Sequence, residues 1–552
     1  MIGVISKKNE TEIVKEFFEL FKTPWEFYKE NQAYSIILST QYELPKVDAK
    51  LIVIYSSEET EWDRRTKLTI STKSKSGNVM AEDGENEFPV YGFLSTFEVL
   101  GSPIIQLKEN SELVGQMIEE SGVKIVRIGF DIFEEVKFLL SKGQPPDNAH
   151  IPTLDIHIYL FRKWILKSGI PVLEIPPIPE GHNFFGCLTH DVDFIGIKHH
   201  KFDHAMWGFL YRATLGSLFR VLTGRISLKN LLKNWMSVVS LPLIYLGIAK
   251  DFWFNFDKYT EIEKDLKSTF FIIPFKNKTG EFVFLENPNR RKSRYDISDI
   301  QQSIKKLING GFEIGLHGID AWHDIDKGKE EFKRISNETK ESIIGTRMHW
   351  LCFNDRSTKV IDEVGFYYDS TYGYNETIGY RGGTAQVFRP PKTRSLFELP
   401  LHIQDMALFA LNLMNLSEIE AWNLCNKLIS NTMRFGGVLT LLWHMRSIAP
   451  ERLWGDFYCC LLETLKENKA YFGTAKQVVN WFQGRRALTF KEVHINNEYI
   501  RIVLDHKGDV LDPKLLLRIH LPEGSKPHLS QVNTKIIDIP WSGETEVSMP
   551  LN

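Results

Sequence analysis

Cysteine is scarce in this sequence of 552 residues: only five are present, and their positions show no paired spacing. Two of them, Cys459 and Cys460, are adjacent in an apolar helical run, where packing explains both. This usage indicates a reducing compartment. An excess of positive charge is also lacking, because 67 Lys and Arg nearly balance 70 Asp and Glu. The composition therefore offers no argument for a nucleic-acid partner, which normally needs a basic face.

Long apolar runs are missing as well. The first twenty residues carry charges at intervals and contain no continuous apolar stretch, so we identify no signal peptide. The longest low-charge segment, residues 235–249, contains Pro242 and is shorter than the roughly 20 residues that cross a bilayer. The sequence therefore predicts a cytoplasmic protein.

The two ends of the chain differ from its middle. Residues 1–150 mix a helical period with β-branched runs, which predicts an N-terminal α/β accessory domain without a catalytic constellation. Residues 151–185 are interpreted as a helix followed by a Pro-rich connector. Residues 487–552 alternate between turn signals, which predicts a small C-terminal antiparallel β-domain.

The middle region, residues 186–486, alternates short apolar strands with amphipathic helices. Repeated β-α units of this kind favour a parallel sheet or a (β/α) barrel. Polar residues follow the predicted strands at their C-terminal ends, where a barrel assembles its active site. These residues are His190, Asp191, His317, Arg347, His349, Asp369 and His444.

An insertion at about residues 195–257 interrupts the barrel pattern. Its apolar stretches, 205–223 and 237–249, are broken or flanked by arginines and lysines. Helices of this character could cover the barrel mouth or lie on a membrane surface. The alternative is an insertion that simply packs on its own domain.

Asp191 and Asp193 end the first predicted barrel strand. Residues two apart in a strand point to the same side, so the two carboxylates would project together. Their mutual repulsion raises the pKa of one of them unless a cation lies nearby. The pair therefore calls for a metal ion, an arginine or both.

Five short motifs occur in order along the middle region. They are Thr189-His190-Asp191-Val192-Asp193, Gly315-Leu316-His317-Gly318 with His323, Arg347-Met348-His349-Trp350, Tyr368-Asp369-Ser370-Thr371-Tyr372-Gly373 with Gly379-Tyr380-Arg381-Gly382-Gly383-Thr384, and Leu439-Thr440-Leu441-Leu442-Trp443-His444. The set resembles the polysaccharide deacetylase family, the family 4 carbohydrate esterases related to chitin and peptidoglycan deacetylases. The resemblance covers about residues 186–483 and implies a distorted (β/α) barrel.

The resemblance implies a divalent metal site. Asp193 and His317 would be ligands, with His323 as the third. A His/His/carboxylate set with open positions suits zinc and does not exclude cobalt, nickel or iron. The metal would polarise the amide oxygen and activate water.

The resemblance also implies the acid–base residues. Asp191 would act as general base, held ionised by Arg347. His444 would donate a proton to the leaving amine, and Asp369 would orient its ring. A backbone amide near Tyr372 would complete an oxyanion site.

Three further residues are predicted to bind substrate. Trp350 and Trp443 would line a sugar cleft, where an aromatic face suits the apolar side of a pyranose ring. Arg381 belongs to the fourth motif and is predicted to contact the substrate together with Tyr372.

The second motif departs from the family pattern. The second metal histidine usually lies four residues after the first, but Ala321 occupies that position and His323 is six residues on. His323 can be a ligand only if residues 319–322 form a loop. The rival ligands are His349, which stands where the family commonly has proline, and His190.

Together these features predict a cytoplasmic, metal-dependent hydrolase that removes an N-acetyl group from an amino sugar. Its substrate would be a glycan intermediate, and a lipid-linked sugar at the inner membrane surface would suit the insertion. One alternative is a hydrolase of a small cyclic amide. The other is a non-catalytic glycan-binding scaffold that keeps an inherited barrel.

Overall fold

The computed structural model describes residues 1–74, 79–281, 291–495, 499–522 and 536–550. The N-terminal part is built on one mixed sheet. Its strands are β1 (Ile2–Ile5), β2 (Trp25–Phe27), β3 (Ile36–Ser39), β4 (Leu51–Tyr55), β5 (Ile70–Ser74), β6 (Val79–Glu82), β7 (Glu87–Val90), β8 (Leu94–Phe97), β9 (Ser102–Leu107), β10 (Leu113–Glu120) and β11 (Val123–Ile128). The order is β2-β1-β3-β4-β11-β10-β9-β6-β7, with β8 joining β10 to β5.

Helices flank this sheet. They are α1 (Thr11–Phe21), α2 (Glu61–Thr66), α3 (Ile132–Ser141) and α4 (Thr153–Lys167). Asp131 caps α3 by accepting hydrogen bonds from the backbone amides of Phe133 and Glu134. The apolar faces of α1, α3 and α4 share one buried core with the sheet.

The middle region forms a curled sheet of parallel strands. After β12 (Val172–Glu174) in the connector come β13 (Phe184–Val192), β14 (Ser268–Ile272), β15 (Glu313–Gly318), β16 (Gly345–Met348), β17 (Tyr368–Asp369), β18 (Phe397–Glu398), β19 (Ile403–Gln404), β20 (Val438–Leu442) and β21 (Ala470–Phe472). The order is β18-β17-β16-β15-β14-β13-β20-β19, with β21 also beside β13. Among the described residues no ladder joins β18 to β19, so the barrel has a seam there. A mixed α/β fold with a parallel half-barrel agrees with the predicted fold class.

Helices connect the strands of the middle region, and those outside the insertion cover the curled sheet. They are α5 (His204–Tyr211), α6 (Ser217–Leu222), α7 (Leu228–Tyr245), α8 (Phe256–Ile262), α9 (Gln301–Asn309), α10 (Ile325–Thr339), α11 (Ser357–Val364), α12 (Asp405–Phe409), α13 (Glu418–Phe435), α14 (Gly455–Glu467) and α15 (Ala475–Ala487). Helices α5 to α7 form the insertion, with a π-helical turn at Arg212–Gly216. Because helices cover the strands of the barrel, those strands are buried along their whole length, as β13 and β20 show.

The last strands make two small antiparallel sheets. They are β22 (Leu488–Ile495), β23 (Tyr499–His506), β24 (Leu515–His520), β25 (Ile536–Trp541) and β26 (Glu546–Pro550). One sheet has the order β22-β23-β26, and in the other β24 pairs with both β25 and β12. Leu517 and Trp541 share a core with Phe185 and Val438 of the barrel. The connector and the C-terminal strands are therefore packed together beneath the barrel.

Gly345, on β16, leaves no room for a side chain in the barrel wall. A Cβ added there would lie 1.9 Å from Cζ of Tyr368, a buried ring whose hydroxyl donates to Glu313. We expect Gly345→Ala to destabilise the protein by about 1–3 kcal/mol, because the neighbouring strand must shift. The measurement is the melting temperature, with Gly473→Ala as control, where the nearest atom is 3.5 Å away. Equal melting temperatures for the two variants would contradict this reading of the packing.

Candidate active site

The C-terminal ends of the parallel strands bring distant polar residues together around one cavity of about 490 Å³. Asp191 and Asp193 come from the end of β13, His317 from β15, His349 from just after β16, and His444 from just after β20. A larger cavity of about 780 Å³ lies between the N-terminal sheet and the C-terminal strands, away from these side chains. The strand-end cavity is the candidate active site.

Asp193, His317 and His349 form a set of donor atoms that could hold one metal ion. Their donor atoms all lie within 4.8 Å of one another. Nε2 of His317 and Nε2 of His349 are each 3.3 Å from Oδ1 of Asp193. Ligands at the usual zinc bond lengths and tetrahedral angles are about 3.3 Å apart. Among the described residues, the buried Oδ1 of Asp193 has no hydrogen-bond partner, which fits an atom placed for a cation.

Neighbouring groups prepare these side chains for a cation. Nδ1 of His317 lies 2.9 Å from the carbonyl oxygen of Arg347; donating its proton there leaves Nε2 with a lone pair toward the cavity. Burial lowers the pKa of His349 well below its ordinary value. Burial by itself raises the pKa of Asp193, but His349, His317 and His444 outweigh it and hold the pKa well below its usual range. Neutral imidazoles and an ionised carboxylate are the forms that bind a metal.

Two other histidines lie outside this set. Residues 319–322 do form a loop, but Nε2 of His323 is 3.2 Å from Oδ1 of Asp320 and the ring does not join the cluster. His190 uses both ring nitrogens elsewhere, on the carbonyl oxygen of Trp443 at 2.8 Å and on Glu263 at 2.9 Å. The donor set in the structure therefore contains His349 in place of His323 as the third candidate ligand, and it does not contain His190.

Asp191 and Arg347 are paired beside the candidate metal site. Nη1 of Arg347 donates to Oδ1 of Asp191 at 3.1 Å and to the hydroxyl of Thr189 at 2.7 Å. Two further bonds to Ser370 fix the other guanidinium nitrogens, and the side chain of Arg347 is fully buried. Oδ2 of Asp191 lies 3.7 Å from Nε2 of His317. One carboxylate oxygen is therefore held by arginine while the other faces the cavity.

Asp405, at the start of α12, orients His444. Its Oδ1 lies 2.7 Å from Nδ1 of His444, and its Oδ2 accepts from the backbone amide of His444 at 2.6 Å and from the hydroxyl of Ser447. Nε2 of His444 then points toward Asp193, 3.8 Å from Oδ2. Burial opposes the charged ring, but Asp405 and the two cavity aspartates outweigh it and raise the pKa of His444 to about 9. His444 is thus a protonated donor aimed at the cavity.

Asp369 does not perform the role predicted for it. Its Oδ1 accepts a hydrogen bond from Thr371 at 2.5 Å, and it lies below Arg347 rather than beside His444. Burial raises its pKa to about 7. The prediction that Asp369 orients His444 is therefore wrong, because β19 brings a nearer carboxylate, Asp405, to the ring.

Of the two tryptophans predicted to bind substrate, one lines the cavity and the other does not. Trp350 lines the cavity and is 38% exposed. Trp443 is fully buried between Phe457 and Tyr458, so it cannot line a sugar cleft. The backbone of β20 turns its side chain outward into the helices, whereas the next residue, His444, reaches the cavity.

Tyr372 and Arg381 lie away from the cavity. The amide of Tyr372 donates to Glu398 at 3.0 Å, and its hydroxyl to the carbonyl oxygen of Leu139 at 2.8 Å. The amide is therefore not available as an oxyanion donor. Arg381 donates to the carbonyl oxygen of Gly373 and packs its guanidinium over the ring of Tyr372. Both residues join the barrel to the N-terminal part of the chain.

Several cavity residues were missed in the sequence. One is Asp405, which contacts His444 from behind the cavity wall, and the others are four cationic residues of the wall itself, Arg291, Lys292, Arg446 and Arg452. Arg446 and Arg452 follow His444 closely in sequence. Their position just after β20 could therefore have predicted that they lie at the cavity. Asp405 follows a strand of two residues, which leaves no periodic pattern to recognise.

Solved structures similar to this one include polysaccharide deacetylases, family 4 carbohydrate esterases, a family 4 pseudoenzyme from Bacillus anthracis and a GH57 branching enzyme from Thermococcus kodakaraensis. A protein from Mycobacterium smegmatis, provisionally assigned as a polysaccharide deacetylase, is 16% identical and aligns 58% of this chain with 100% of its own, at a TM-score of 0.35. A polysaccharide deacetylase from Bacillus cereus is 15% identical over 41% of this chain and 86% of its own, with a TM-score of 0.23. A family 4 acetyl xylan esterase from Clostridium thermocellum, in complex with a cobalt ion, is 15% identical. The alignment covers 54% of this chain and 91% of the esterase, with a TM-score of 0.23.

No protein-family model and no curated protein sequence matches this chain. Identities and TM-scores of this size carry no functional conclusion, so the function proposed below rests on the geometry of the site.

Within the described residues, no helix has the length and apolar character needed to cross a membrane.

Proposed function

We propose that this protein is a metal-dependent hydrolase that removes an N-acetyl group from an amino sugar. One observation carries the proposal: a candidate Asp/His/His metal site lies between a carboxylate paired with arginine and a histidine paired with a carboxylate. The first pair is Asp191 with Arg347, and the second is His444 with Asp405. A base and an acid beside one cation are the parts that amide hydrolysis needs.

The cation, which we propose to be zinc, supplies Lewis-acid polarisation of the amide carbonyl and of water when bound. Asp191 accepts the proton of the attacking water through its cavity-facing oxygen, while Arg347 keeps the other oxygen in place. His444 delivers the proton on Nε2 to the leaving nitrogen, and Asp405 stabilises the charged ring. The C–N bond breaks as a C–O bond forms, so the products are acetate and a free amine.

The cavity wall favours a sugar over a small cyclic amide. Trp350 offers a partly exposed aromatic face, and Asn375 and Gln404 line the same cavity with amide groups. A pyranose ring has an apolar face for the indole and hydroxyls for the amides. The burial of Trp443 removes the second aromatic wall expected for a long groove, so we propose a substrate that occupies a single sugar site.

Metal analysis combined with acetate release tests the proposal. Purified protein is expected to contain about one divalent ion per chain and to release acetate from one or more of a panel of N-acetylated sugars and glycolipids. Asp191→Asn is expected to keep the metal, because Asp191 is not in the ligand set, and to lower kcat by about 10²–10⁴ through loss of the base.

Asp355→Asn provides the control, since this carboxylate is 73% exposed and distant from the cavity. Its turnover should equal that of the unmodified protein. Protein that binds no metal and releases no acetate would instead identify a non-catalytic glycan-binding scaffold. An Asp191→Asn variant with unchanged turnover would contradict the role of Asp191 as the base.

A further inference from the structure

Helix α7 of the insertion carries apolar residues on its exposed side as well as on its buried side, which includes Leu231, Leu241 and Ile244. Its exposed side is apolar, and it consists of Leu228, Leu232, Trp235, Met236, Val239 and Leu243. Its buried side includes two polar residues, Asn234 and Ser237. A surface helix normally turns its apolar stripe to the core. The exposed stripe of α7 therefore lacks the partner that its composition calls for.

The preceding helical segment has a second exposed apolar stripe. From α5 through the π-helical turn to α6, it consists of Trp207, Tyr211, Leu215, Leu218, Phe219 and Leu222. These positions repeat at helical spacing, as those of α7 do. Because α6 and α7 pack against each other as a hairpin, the two stripes belong to one structural unit. Twelve large apolar side chains exposed on one structural unit indicate an interaction site.

Charge identifies the partner of this hairpin. Residues 204–250 contain no Asp or Glu, although 70 of the 552 residues in the chain are acidic. The same stretch carries six basic residues, Arg212, Arg220, Arg225, Lys229, Lys233 and Lys250. An apolar stripe beside basic residues is the composition of helices that lie in the interface of anionic membranes.

The hairpin adjoins the candidate active site. His204, the first residue of α5, lines the cavity together with Phe194. Arg446 stacks over Phe194 at 4.6 Å, so positive charge continues from the insertion to the cavity wall. A membrane that covers the hairpin would therefore lie next to the cavity that holds the candidate catalytic groups.

We propose that the α5–α7 hairpin docks this protein on an anionic membrane surface and so directs the active site to amino sugars attached to lipid. The part that concerns substrate rests on the proposed deacetylase function, whereas membrane docking does not. A second copy of the chain would not explain why acidic residues are excluded from the whole hairpin. Anionic lipid explains both the apolar stripes and the one-sided charge.

Sedimentation with lipid vesicles tests the docking. The unmodified full-length protein is expected to pellet with phosphatidylcholine vesicles that contain phosphatidylglycerol, and much less with phosphatidylcholine alone. Leu222→Glu and Val239→Glu, both at positions 76% exposed, should each weaken binding at least about tenfold. Lys229→Gln combined with Lys233→Gln should weaken binding to the anionic vesicles only.

Val99→Glu is the matched control, because Val99 is 70% exposed on the N-terminal part of the chain. It should bind vesicles like the unmodified protein. Unmodified protein that stays in the supernatant with both vesicle types would overturn the proposal. So would a stable dimer, detected by light scattering without lipid, that Leu222→Glu separates into monomers.

Acetate release from two probe substrates then distinguishes an effect on membrane docking from an effect on catalysis. Hexadecyl N-acetylglucosaminide in anionic vesicles and methyl N-acetylglucosaminide in solution share the same sugar. Leu222→Glu should lower turnover of the hexadecyl probe in vesicles at least about tenfold and leave turnover of the methyl probe unchanged. Vesicle binding without acetate release from either probe would contradict the deacetylase function while supporting docking. Equal effects of Leu222→Glu on both probes would overturn the inferred preference for lipid-linked sugars.

Discussion

Replacing His349 by alanine is expected to lower the affinity for a divalent cation more than about 100-fold, because the change removes one of three protein ligands. The remaining donors, Asp193 and His317, cannot complete the set among the described residues. Metal content after dialysis, followed by titration with Co²⁺ or Zn²⁺, measures the loss. Activity should fall with the metal content.

His323→Ala is the informative comparison, since the sequence motif favoured His323 while the structure pairs it with Asp320. This variant should retain one metal ion per chain with little change in affinity. The reverse result, metal lost from His323→Ala and kept by His349→Ala, would mean that the loop after β15 rearranges around the ion and that the arrangement described above is not the metal-bound one.

Replacing Asp405 by asparagine is expected to lower kcat by about 10²–10⁴ without loss of metal. The neutral side-chain amide of asparagine cannot stabilise a charged imidazole. Its NH₂ group would also face the backbone N–H or the Nδ1–H of His444, both of which donate hydrogen bonds to Asp405 in the unmodified protein. The rotation of His444 would then no longer be fixed. Steady-state kinetics together with metal analysis of the same preparation make the measurement.

Asp369→Asn is the matched control, because the sequence motif predicted that Asp369 orients His444. Because burial already raises the pKa of Asp369 to about 7, a neutral amide is a close substitute, and kcat should change by less than about tenfold. A larger loss from Asp369→Asn than from Asp405→Asn would restore the original assignment of the orienting carboxylate.

The barrel could be predicted because its strands are buried on both faces and are therefore almost continuously apolar. The candidate residues Asp191 and His317, at the ends of β13 and β15, and His444, just after β20, were identified in this way. Strand β19 has two residues and no readable pattern, so the residue after it, Asp405, was missed. Where a strand was recognised, the polar residue at its end was also found.

The choice between His349 and His323 could not be made from spacing. After β16 the chain enters a tight turn in which Trp350 has a φ of 66°, and this turn directs His349 into the cavity. The loop that carries His323 is instead held by Glu331, which accepts hydrogen bonds from the amides of Ile319 and Asp320. Both arrangements depend on contacts with residues remote in sequence, which a local motif does not encode.

The pairing of β12 with β24 has a consequence for synthesis of the chain. Glu174 on β12 and His520 on β24 are hydrogen-bonded at 2.7 Å although 346 residues separate them. On the ribosome, β12 emerges long before its neighbour exists, and the barrel must assemble while this edge is bare. The sheet beneath the barrel is therefore completed late in synthesis, and premature termination before β24 leaves the edge of β12 open to association with other chains.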